Sequence, residues 1–513
     1  MKINQLKVGS LLSYLQMGLS VLVGLCYTPV MIRLLGTSEY GLYNTVSSTI
    51  AMMSVLSLGF NSSYIRFYSK YQKENDKESL YKLNGLFLSI YLLISVVVLL
   101  CGAFLTGNLE LVFDEGLTDA EYRIARVLML LLTVSLAISF PMSVFSSIIS
   151  AHERFVFLKM LGIGKTVVSP LITLPLLLMG YRSIVMVSVT ISVTLVVDLF
   201  YLVYTFAVLK QRFKIGKLES GLFRSLFSYT AFIAINLLID QINWNLGKVV
   251  LGRYKGTAAV SVYSVGYALF HYYQMFSTSV SSVFTPRVHS IVRSLEHDRN
   301  QLRCALTELF IKVGRIQFLI LGLVASGVVF FGREFIVSFW AGEEYSDSYY
   351  IALLLMLSVT VALIQNIGIE IQRAQNKHQF RSIAYAGMAI LNLAMLIVFS
   401  QRYGAVGAAI GTSLSFVLAN GLVMNIYYHK KCNIDVIAFW KSIGRLSVGL
   451  ILPIGFGFLL RCFLDLNHIF YFFIGVLLYS IVYCISMWFT AMNETEKDLV
   501  LKPVRRALSL LKR

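Results

Sequence analysis

Charged residues fall in clusters along the chain, and the intervals between clusters are long and apolar. No acidic or basic side chain lies between Lys7 and Arg33, between Glu39 and Arg66, between Lys82 and Glu110, or between Arg126 and Glu153. A helix needs about 20 apolar residues to cross the hydrocarbon core, so each interval predicts one crossing. The same criterion places spans five and six near 157–180 and 182–208, span seven near 225–250 and span eight between Lys255 and Arg287. Six more follow near 309–332, 348–372, 380–401, 404–429, 442–463 and 467–492. The expected fold is an all-α polytopic membrane protein of about fourteen helices.

Composition agrees. Of 513 residues, 57% are hydrophobic and 14% charged, where soluble domains carry about 25% charged residues. A single soluble core stops growing near roughly 250–300 residues and cannot hide this much apolar surface. The net charge of +18 acquires its meaning from topology. Loops after even-numbered spans are basic, as in SKYQKENDKESLYK (69–82), LKQRFKIGK (209–217), RVHSIVRSLEHDRNQLR (287–303) and HKK (429–431). Loops after odd-numbered spans are short, or acidic as in LELVFDEGLTDAE (109–121). On this division 33 of the 44 Lys and Arg face one side and 10 the other, with Lys165 inside a span. The positive-inside rule then puts both termini in the cytoplasm of a multi-pass protein of the inner (cytoplasmic) membrane. The basic balance is therefore topology, and nucleic acid is not the expected partner.

No loop is large enough for a folded domain; the longest, 106–121 and 285–308, have room for a short helix at most. The tail EKDLVLKPVRRALSLLKR (496–513) alternates apolar and basic residues and suits the anionic inner leaflet. No cleavable signal peptide is expected. The six cysteines are scattered, which predicts free thiols with no zinc site or disulfide framework. No P-loop, zincin or GxSxG signature occurs, and nothing calls for a cofactor, metal or catalytic residue.

An internal repeat organises the chain. LLSYLQMGLSVLVGLCYTPVMIRLLGTSEYGLYNTV (11–46) aligns with LFSYTAFIAINLLIDQINWNLGKVVLGRYKGTAAVSVYSV (226–265): Ser13-Tyr14 with Ser228-Tyr229, Leu35-Gly36 with Leu251-Gly252, and Tyr43 with Tyr263 after a small insertion. Gly36 and Gly252 are thus expected at equivalent exits from the first helix of each half. AHERFVFLKMLGIGK (151–165) against AQNKHQFRSIAYAG (374–387) and GYRSIVMVSV (180–189) against RYGAVGAAIG (402–411) continue the match. An even number of helices per half predicts a pseudo-two-fold along the membrane normal. The expected organisation is a six-helix lobe at 1–208, a cytoplasmic linker at 209–224, a second six-helix lobe at 225–430, two further transmembrane helices at 431–492 and a basic tail at 493–513.

Ionisable groups within spans are costly and face a bundle interior or a cavity. Lys165 and Asp198 lie at similar heights on neighbouring antiparallel spans, about 10–15 Å from the inner end. They form a candidate ion pair, either coupling transport or only holding two helices together. Span seven carries the polar turn DQINWN with Asp240, followed by Lys248; span eight carries His271. A single intramembrane histidine can equally be a packing hydrogen bonder. Asp240 is the strongest individual candidate because its neighbours are also polar.

The stretch LLGTSEYGLYN...LSLGFNSSYIRFYSKY (34–71) resembles the start of bacterial polysaccharide (O-antigen or capsule) flippases, the Wzx-like branch of the MOP exporter superfamily. LLIDQINWNLGKVVLGRYKGTAAVSVYSVGYAL (237–269) resembles the start of that family's second lobe, and RAQNK (373–377) is also typical. The resemblance implies a non-enzymatic secondary transporter that moves an undecaprenyl-pyrophosphate-linked oligosaccharide between leaflets by alternating access. Its partners would be that lipid, the bilayer and, in the cell, a polysaccharide polymerase and assembly proteins. Pyrophosphate calls for arginine or lysine, and Arg33, Arg66, Lys165, Lys248 and Arg253 are the positions to test. Related lipid II flippases carry cavity arginines on the first helices of each lobe. Arg33 and Arg66 instead sit near span ends, where anchoring at the membrane interface is the competing reading. Three alternatives stay open: a multidrug exporter of the same superfamily, a membrane-embedded glycan polymerase or transferase, and a non-transporting scaffold. The first predicts an acidic cavity. The second predicts an acid pair and a large outer loop.

Overall fold

The computed structural model describes residues 4–499 and 501, apart from 75, 114–116, 215, 217–229, 231–233, 296, 376 and 378. The Ser228-Tyr229 match, most of the linker and most of the basic tail lie outside the described residues. Among the described residues there is no strand. The chain begins with α1 (Gln5–Met52), α2 (Phe60–Lys73), α3 (Lys77–Gly107), α4 (Asp119–Ala151), α5 (Phe155–Leu178) and α6 (Ser183–Val203). Residues 234–244 are helical. There follow α7 (Leu246–Ser294), α8 (Arg299–Glu334), α9 (Asp347–Ile364), α10 (Ile367–Ala374), α11 (Gln379–Phe416), α12 (Asn425–Lys431), α13 (Val436–Ser447), α14 (Ile451–Phe463) and α15 (Ile469–Thr490).

Ten helical stretches among the described residues are long and apolar enough to cross a membrane. Two of them, Lys7–Lys73 and Gln379–Lys431, run through a glycine at which the helix folds back. These are Gly36 in α1 and Gly404 in α11, and Gly256 does the same in α7; all three have positive φ, at 78°, 59° and 77° respectively. Only a residue without Cβ adopts that conformation at little cost. Contacts across the α1 and α7 glycines confirm the reversal there. Tyr27 and Tyr43 interact electrostatically in α1. A Cβ at Gly247 would lie 3.4 Å from Tyr263 Oη in α7. α7 is rich in Tyr, Ser and His and is not among the ten.

This corrects the expected equivalence of Gly36 with Gly252. Gly252 lies within the first arm of α7, where a Cβ would sit 2.8 Å from Thr45 Cγ2. Gly256 makes the turn. With Gly256 paired to Gly36, Arg33 pairs with Arg253, Thr37 with Thr257 and Tyr43 with Tyr263, and no insertion is needed. The adjacent Leu-Gly dipeptide misled the alignment because apolar helices offer many such coincidences.

The expected long loops are also shorter than the apolar criterion implied. The basic segment 69–82 is divided between the end of α2 and the start of α3, and 287–303 between α7 and α8. Helices continue past their apolar portion, and aspartates start the next ones. Asp76 accepts from Ser79 N at 3.0 Å, Asp298 from Gln301 N at 2.9 Å and Asp435 from Ala438 N at 3.1 Å, satisfying amides that the first helical turn leaves unpaired.

Two compact units result. One comprises Met1–Ser264 with Ala389–Ala408, the other Val265–Met388 with Ala409–Arg513. In the first, α1 packs on α5, α3 on α4, and α2 on both α3 and α4. An aromatic cluster joins α2 to α3 and α4, with Tyr64 edge-on to Phe87 at 5.2 Å and Tyr91 stacked on Phe140 at 6.0 Å. In the second, α8 packs against α9, α13 and α15. Outward-facing Leu93 and Leu100 are each 67% exposed and Phe463 is 82% exposed, which suits lipid as the surrounding solvent.

Candidate functional site

The first arm-pair, α1, ends in a short 3-10 segment, Met53–Ser57, and two left-handed residues, Leu58 (φ 50°) and Gly59 (φ 69°). A new helix, α2, starts in a different direction and has a different character. One side is aromatic and buried: Phe60, Tyr64, Tyr68 and Tyr71. The opposite side is exposed and polar: Ser62, Arg66, Ser69, Lys70 and Lys73. Arg66, Lys70 and Lys73 follow the i, i+4, i+7 spacing that puts side chains on one helix face. With Phe67, Ser69 and Glu74 they line a recess of 440 Å³. Three cations and a hydroxyl can hold a di-anionic phosphate group through charge-assisted hydrogen bonds.

The buried side of α2 is fixed by a polar network at the same end of the unit. Tyr64 Oη donates to Asn84 Oδ1 at 2.7 Å, and Tyr68 Oη meets His152 Nε2 at 2.9 Å. Asn84 Nδ2 donates to Arg212 O at 3.1 Å, and Lys214 N donates to Tyr81 O at 3.0 Å, so residues 210–214 are strapped onto α3. Burial holds the His152 imidazole below its ordinary pKa, keeping it neutral.

At the Gly36 and Gly256 turns the unit is closely packed. Gly41, on the second arm of α1, lies against the second arm of α7: a Cβ there would be 2.6 Å from the Thr257 carbonyl carbon and 3.2 Å from Ser261 N. Ser38 Oγ bonds Thr257 Oγ1 at 3.1 Å and also Glu121, whose other oxygen closes a capping box with Thr118 at the start of α4. Glu39 is buried. Its carboxylate accepts from Ser183 N at 2.9 Å and from Ser183 Oγ, capping α6, while Arg182 pairs with it at 3.0 Å.

The sequence-predicted residues are distributed among these features. Arg66 stands on the recess face of α2. Arg33 and Arg253 are exposed, each three residues before its turn glycine, and Arg253 donates to Leu111 O at 3.2 Å. Lys165 and Asp198 are half-buried on α5 and α6, each within the other's electrostatic influence. Asp240 is exposed and Lys248 half-buried. The rest of the DQINWN turn is engaged in packing: Gln241 donates to Ser54 Oγ at 3.2 Å and Asn243 accepts from Asn392 at 3.1 Å. His271, in the second unit, is exposed with its ring stacked on Tyr267 at 6.4 Å.

Sequence reasoning passed over several charged residues. Lys70 and Lys73 were counted as loop charge, although their spacing from Arg66 carried the helical signal. Glu39 was taken as a boundary of a span. Arg315 lies inside the expected 309–332 span and was not singled out; it is buried in α8, where it bonds Glu496 Oε2 at 2.9 Å, Ala491 O at 2.9 Å and Ser442 Oγ at 3.2 Å. Only the fold brings its partners together.

Comparison with known proteins bears on this arrangement. The family described as "Polysaccharide biosynthesis protein" matches residues 7–292. A "Putative O-antigen transporter" of Shigella flexneri is 21% identical over 416 residues, which is 78% of this chain and 92% of that protein. A "Probable low-salt glycan biosynthesis flippase" of Haloferax volcanii is 22% identical over 282 residues, 54% of this chain and 57% of that protein. Among solved structures, the lipid II flippase MurJ in an inward closed conformation superposes with a TM-score of 0.69 at 16% identity, covering 93% of this chain and 97% of its own. An inward-facing multidrug MATE transporter gives 0.62 at 13% identity, covering 82% and 99%. At these identities the two structures speak to the fold alone. The family match covers more than half of the chain, and with the helical two-unit fold it places the protein in the polysaccharide biosynthesis protein family, as a multi-pass membrane protein.

Proposed function

We propose that this chain carries an oligosaccharide linked to an undecaprenyl-type pyrophosphate from the cytoplasmic to the outer leaflet by alternating access, without catalysing a covalent step. The observation that carries the reading is the basic recess face of α2. The second arm of α1 runs from the Gly36 turn to Met52, about 24 Å at a rise of about 1.5 Å per residue, and α2 with Arg66 follows it at the far end. With the turn on the outer side, the recess falls at the level of the inner-leaflet headgroups, where the pyrophosphate of a newly made substrate resides. On this reading both termini are cytoplasmic, and the Gly41–Thr257 contact is part of the outer seal of an inward-accessible state. Lys165 and Asp198 are the candidates for coupling to an ion. The repeat boundaries at 1–208 and 225–430, the two added helices, and docking of a polymerase or assembly protein belong to the same proposal.

The test is reconstitution with a fluorescent lipid-linked oligosaccharide, scoring leaflet exchange under an imposed ion gradient. Wild-type protein exchanges the lipid, and the Arg66→Ala/Lys70→Ala/Lys73→Ala variant does not. Wild-type protein that leaves the lipid on its original leaflet counts against the reading. So does a triple variant as active as wild type.

A further inference from the structure

Residues 209–214, which begin the linker expected at 209–224, are built onto α3 and α4. The chain leaves α6 through a short π-helical turn, Tyr204–Val208, and a left-handed residue, Lys210 (φ 50°). That conformation is uncommon outside glycine, and here the surroundings hold it. Phe213 packs beside Phe145 of α4 at 5.7 Å and beside Phe206 at 5.5 Å. Lys214 N donates to Tyr81 O at 3.0 Å. Gly85 of α3 leaves room for the Lys214 backbone, since a Cβ there would lie 2.8 Å from its carbonyl carbon. The side chains that hold this strap also hold α2. Asn84 accepts from Tyr64 Oη at 2.7 Å and donates to Arg212 O at 3.1 Å and to Gln211 Oε1 at 3.4 Å. His152 Nδ1 lies 2.9 Å from Ile148 O, which can only accept, so Nδ1 carries the hydrogen and Nε2 is the acceptor. Its donors are Tyr68 Oη at 2.9 Å and Gln211 Nε2 at 3.4 Å. Two bonded routes thus run from α2 and meet at Gln211. Tyr64 and Tyr68 are on the buried side of α2; Arg66 and Lys70 each lie two residues from Tyr68, about 200° round the helix. A helix that shifts as its cations close on a headgroup carries both tyrosines with it.

We propose that residues 209–214 are a latch whose docking is coupled to occupancy of the α2 face: a pyrophosphate held by Arg66, Lys70 and Lys73 favours the docked strap, and an empty face favours its release. The inference rests on the reading of that face as the pyrophosphate site. The docked strap fixes Asn84 and His152, and through them Tyr64 and Tyr68. The cations on the other side of the helix are thereby preset, which spares part of the ordering cost of binding. Linkage makes the effect mutual: the factor by which the docked strap raises affinity is the factor by which the ligand favours docking. Once released, residues 209–214 lengthen the free linker by up to about 20 Å, at about 3.3 Å per residue.

The test uses the full chain in nanodiscs with farnesyl pyrophosphate as the probe. The readouts are the Kd and the hydrogen exchange of the strap amides, of which Gln211 N is bonded to Thr205 O at 3.2 Å and Lys214 N to Tyr81 O. Gly85→Ala displaces the strap backbone, and alanine favours the α3 helix itself. Gln211→Ala removes the joint of the two routes and leaves the Tyr64–Asn84 and Tyr68–His152 bonds in place. In wild type the probe is expected to slow exchange at the strap by about fivefold or more, and Gly85→Ala to raise the Kd by the same factor. Gln211→Ala is expected to raise it less, and this variant decides the matter if Gly85→Ala fails to fold. In Arg66→Ala/Lys70→Ala/Lys73→Ala the probe should leave strap exchange unchanged. A probe that binds wild type without slowing strap exchange overturns the latch, even where Gly85→Ala weakens binding, because that loss is then structural. Wild-type affinity in both strap variants overturns it too. In either case, weaker binding by the triple variant leaves the α2 reading standing. A triple variant that binds like wild type overturns both.

Discussion

Gly41→Ala is the most economical probe of the outer seal. The added Cβ would lie 2.6 Å from the Thr257 carbonyl carbon, and ordinary contact begins at 3.4 Å, so the two helix arms must part by at least about 0.8 Å. Backbone faces backbone here, and no side chain can swing aside. Overpacking of this kind costs about 1–3 kcal/mol. On the proposed alternating-access reading the cost falls on the sealed state alone, so at about 1.4 kcal/mol per tenfold the ratio of sealed to unsealed protein should drop by about 5- to 150-fold. Thr45 is buried just behind the contact, against Gly252. In a background without native cysteines, Thr45→Cys should react with a membrane-impermeant maleimide faster when Gly41→Ala is present. A disulfide between Ser38→Cys and Thr257→Cys, which replaces the 3.1 Å hydroxyl contact, should form less readily in the same protein. Gly18→Ala is the control, since nothing lies within 4 Å of its added Cβ. If Gly41→Ala labels and cross-links like wild type, the contact is ordinary packing and the seal lies elsewhere.

Three further outcomes follow from buried polar groups. Glu39→Ala should cost about 1–3 kcal/mol in thermal unfolding, because Ser183 N–H loses its acceptor in a buried site; Arg182 is largely exposed and adds little. Arg315→Met should destabilise by about 3–5 kcal/mol by stranding Glu496, and Arg315→Met with Glu496→Leu should recover much of that loss in a double-mutant cycle. His152 resists protonation in the folded protein, so the unfolded chain binds more protons as pH falls below the ordinary histidine value of 6.5. Stability is then greatest above that pH and declines below it. The melting temperature should drop between about pH 7.5 and about pH 5.5, and His152→Gln should reduce that drop; an equal drop in both proteins would remove His152 from the account.

The helices were legible because apolar length between charges is a one-dimensional signal. Their ends were less so: once a helix leaves the hydrocarbon, its sequence becomes polar and resembles a loop. That is why 69–82 reads as a connection while holding the recess-facing Lys70 and Lys73. The turn glycines show a second limit. Leu35-Gly36 and Leu251-Gly252 look alike as letters, yet positive φ falls on Gly36 in the first and on Gly256, not Gly252, in the second, and backbone conformation has no direct representation in an alignment of apolar segments. Arg66 could be named from residue type. Glu39 and Arg315 could not, because Ser183 lies 144 residues from the first and Glu496 181 residues from the second. A charge beside or within an apolar run has no visible role until the fold supplies a partner such as the α6 amide or Glu496.

The corrected repeat gives the seal a further physical basis. With Gly36 matched to Gly256, Gly41 corresponds to Ser261. These two positions also touch, a Cβ on Gly41 lying 3.2 Å from Ser261 N. In an arrangement with two-fold symmetry, equivalent residues meet each other only near the axis. On the proposed two-fold repeat the local axis would pass by Gly41, and whatever stands there would pack against its own counterpart at minimal separation. A side chain on one copy can be accommodated only if the other copy withdraws. The chain has glycine on one arm and serine on the other, the smallest residue facing a small one, and the approach is closest where the Thr257 carbonyl faces Gly41. A contact on the axis is also the one that symmetric motions of the two arms alter together, so a small rotation of each opens it by the sum of both displacements. That leverage is the reason to expect Gly41→Ala to act on accessibility, whereas an equal insertion at Gly162, which faces the flexible Gln16 side chain on α1, should be absorbed locally and leave labelling at Thr45→Cys unchanged.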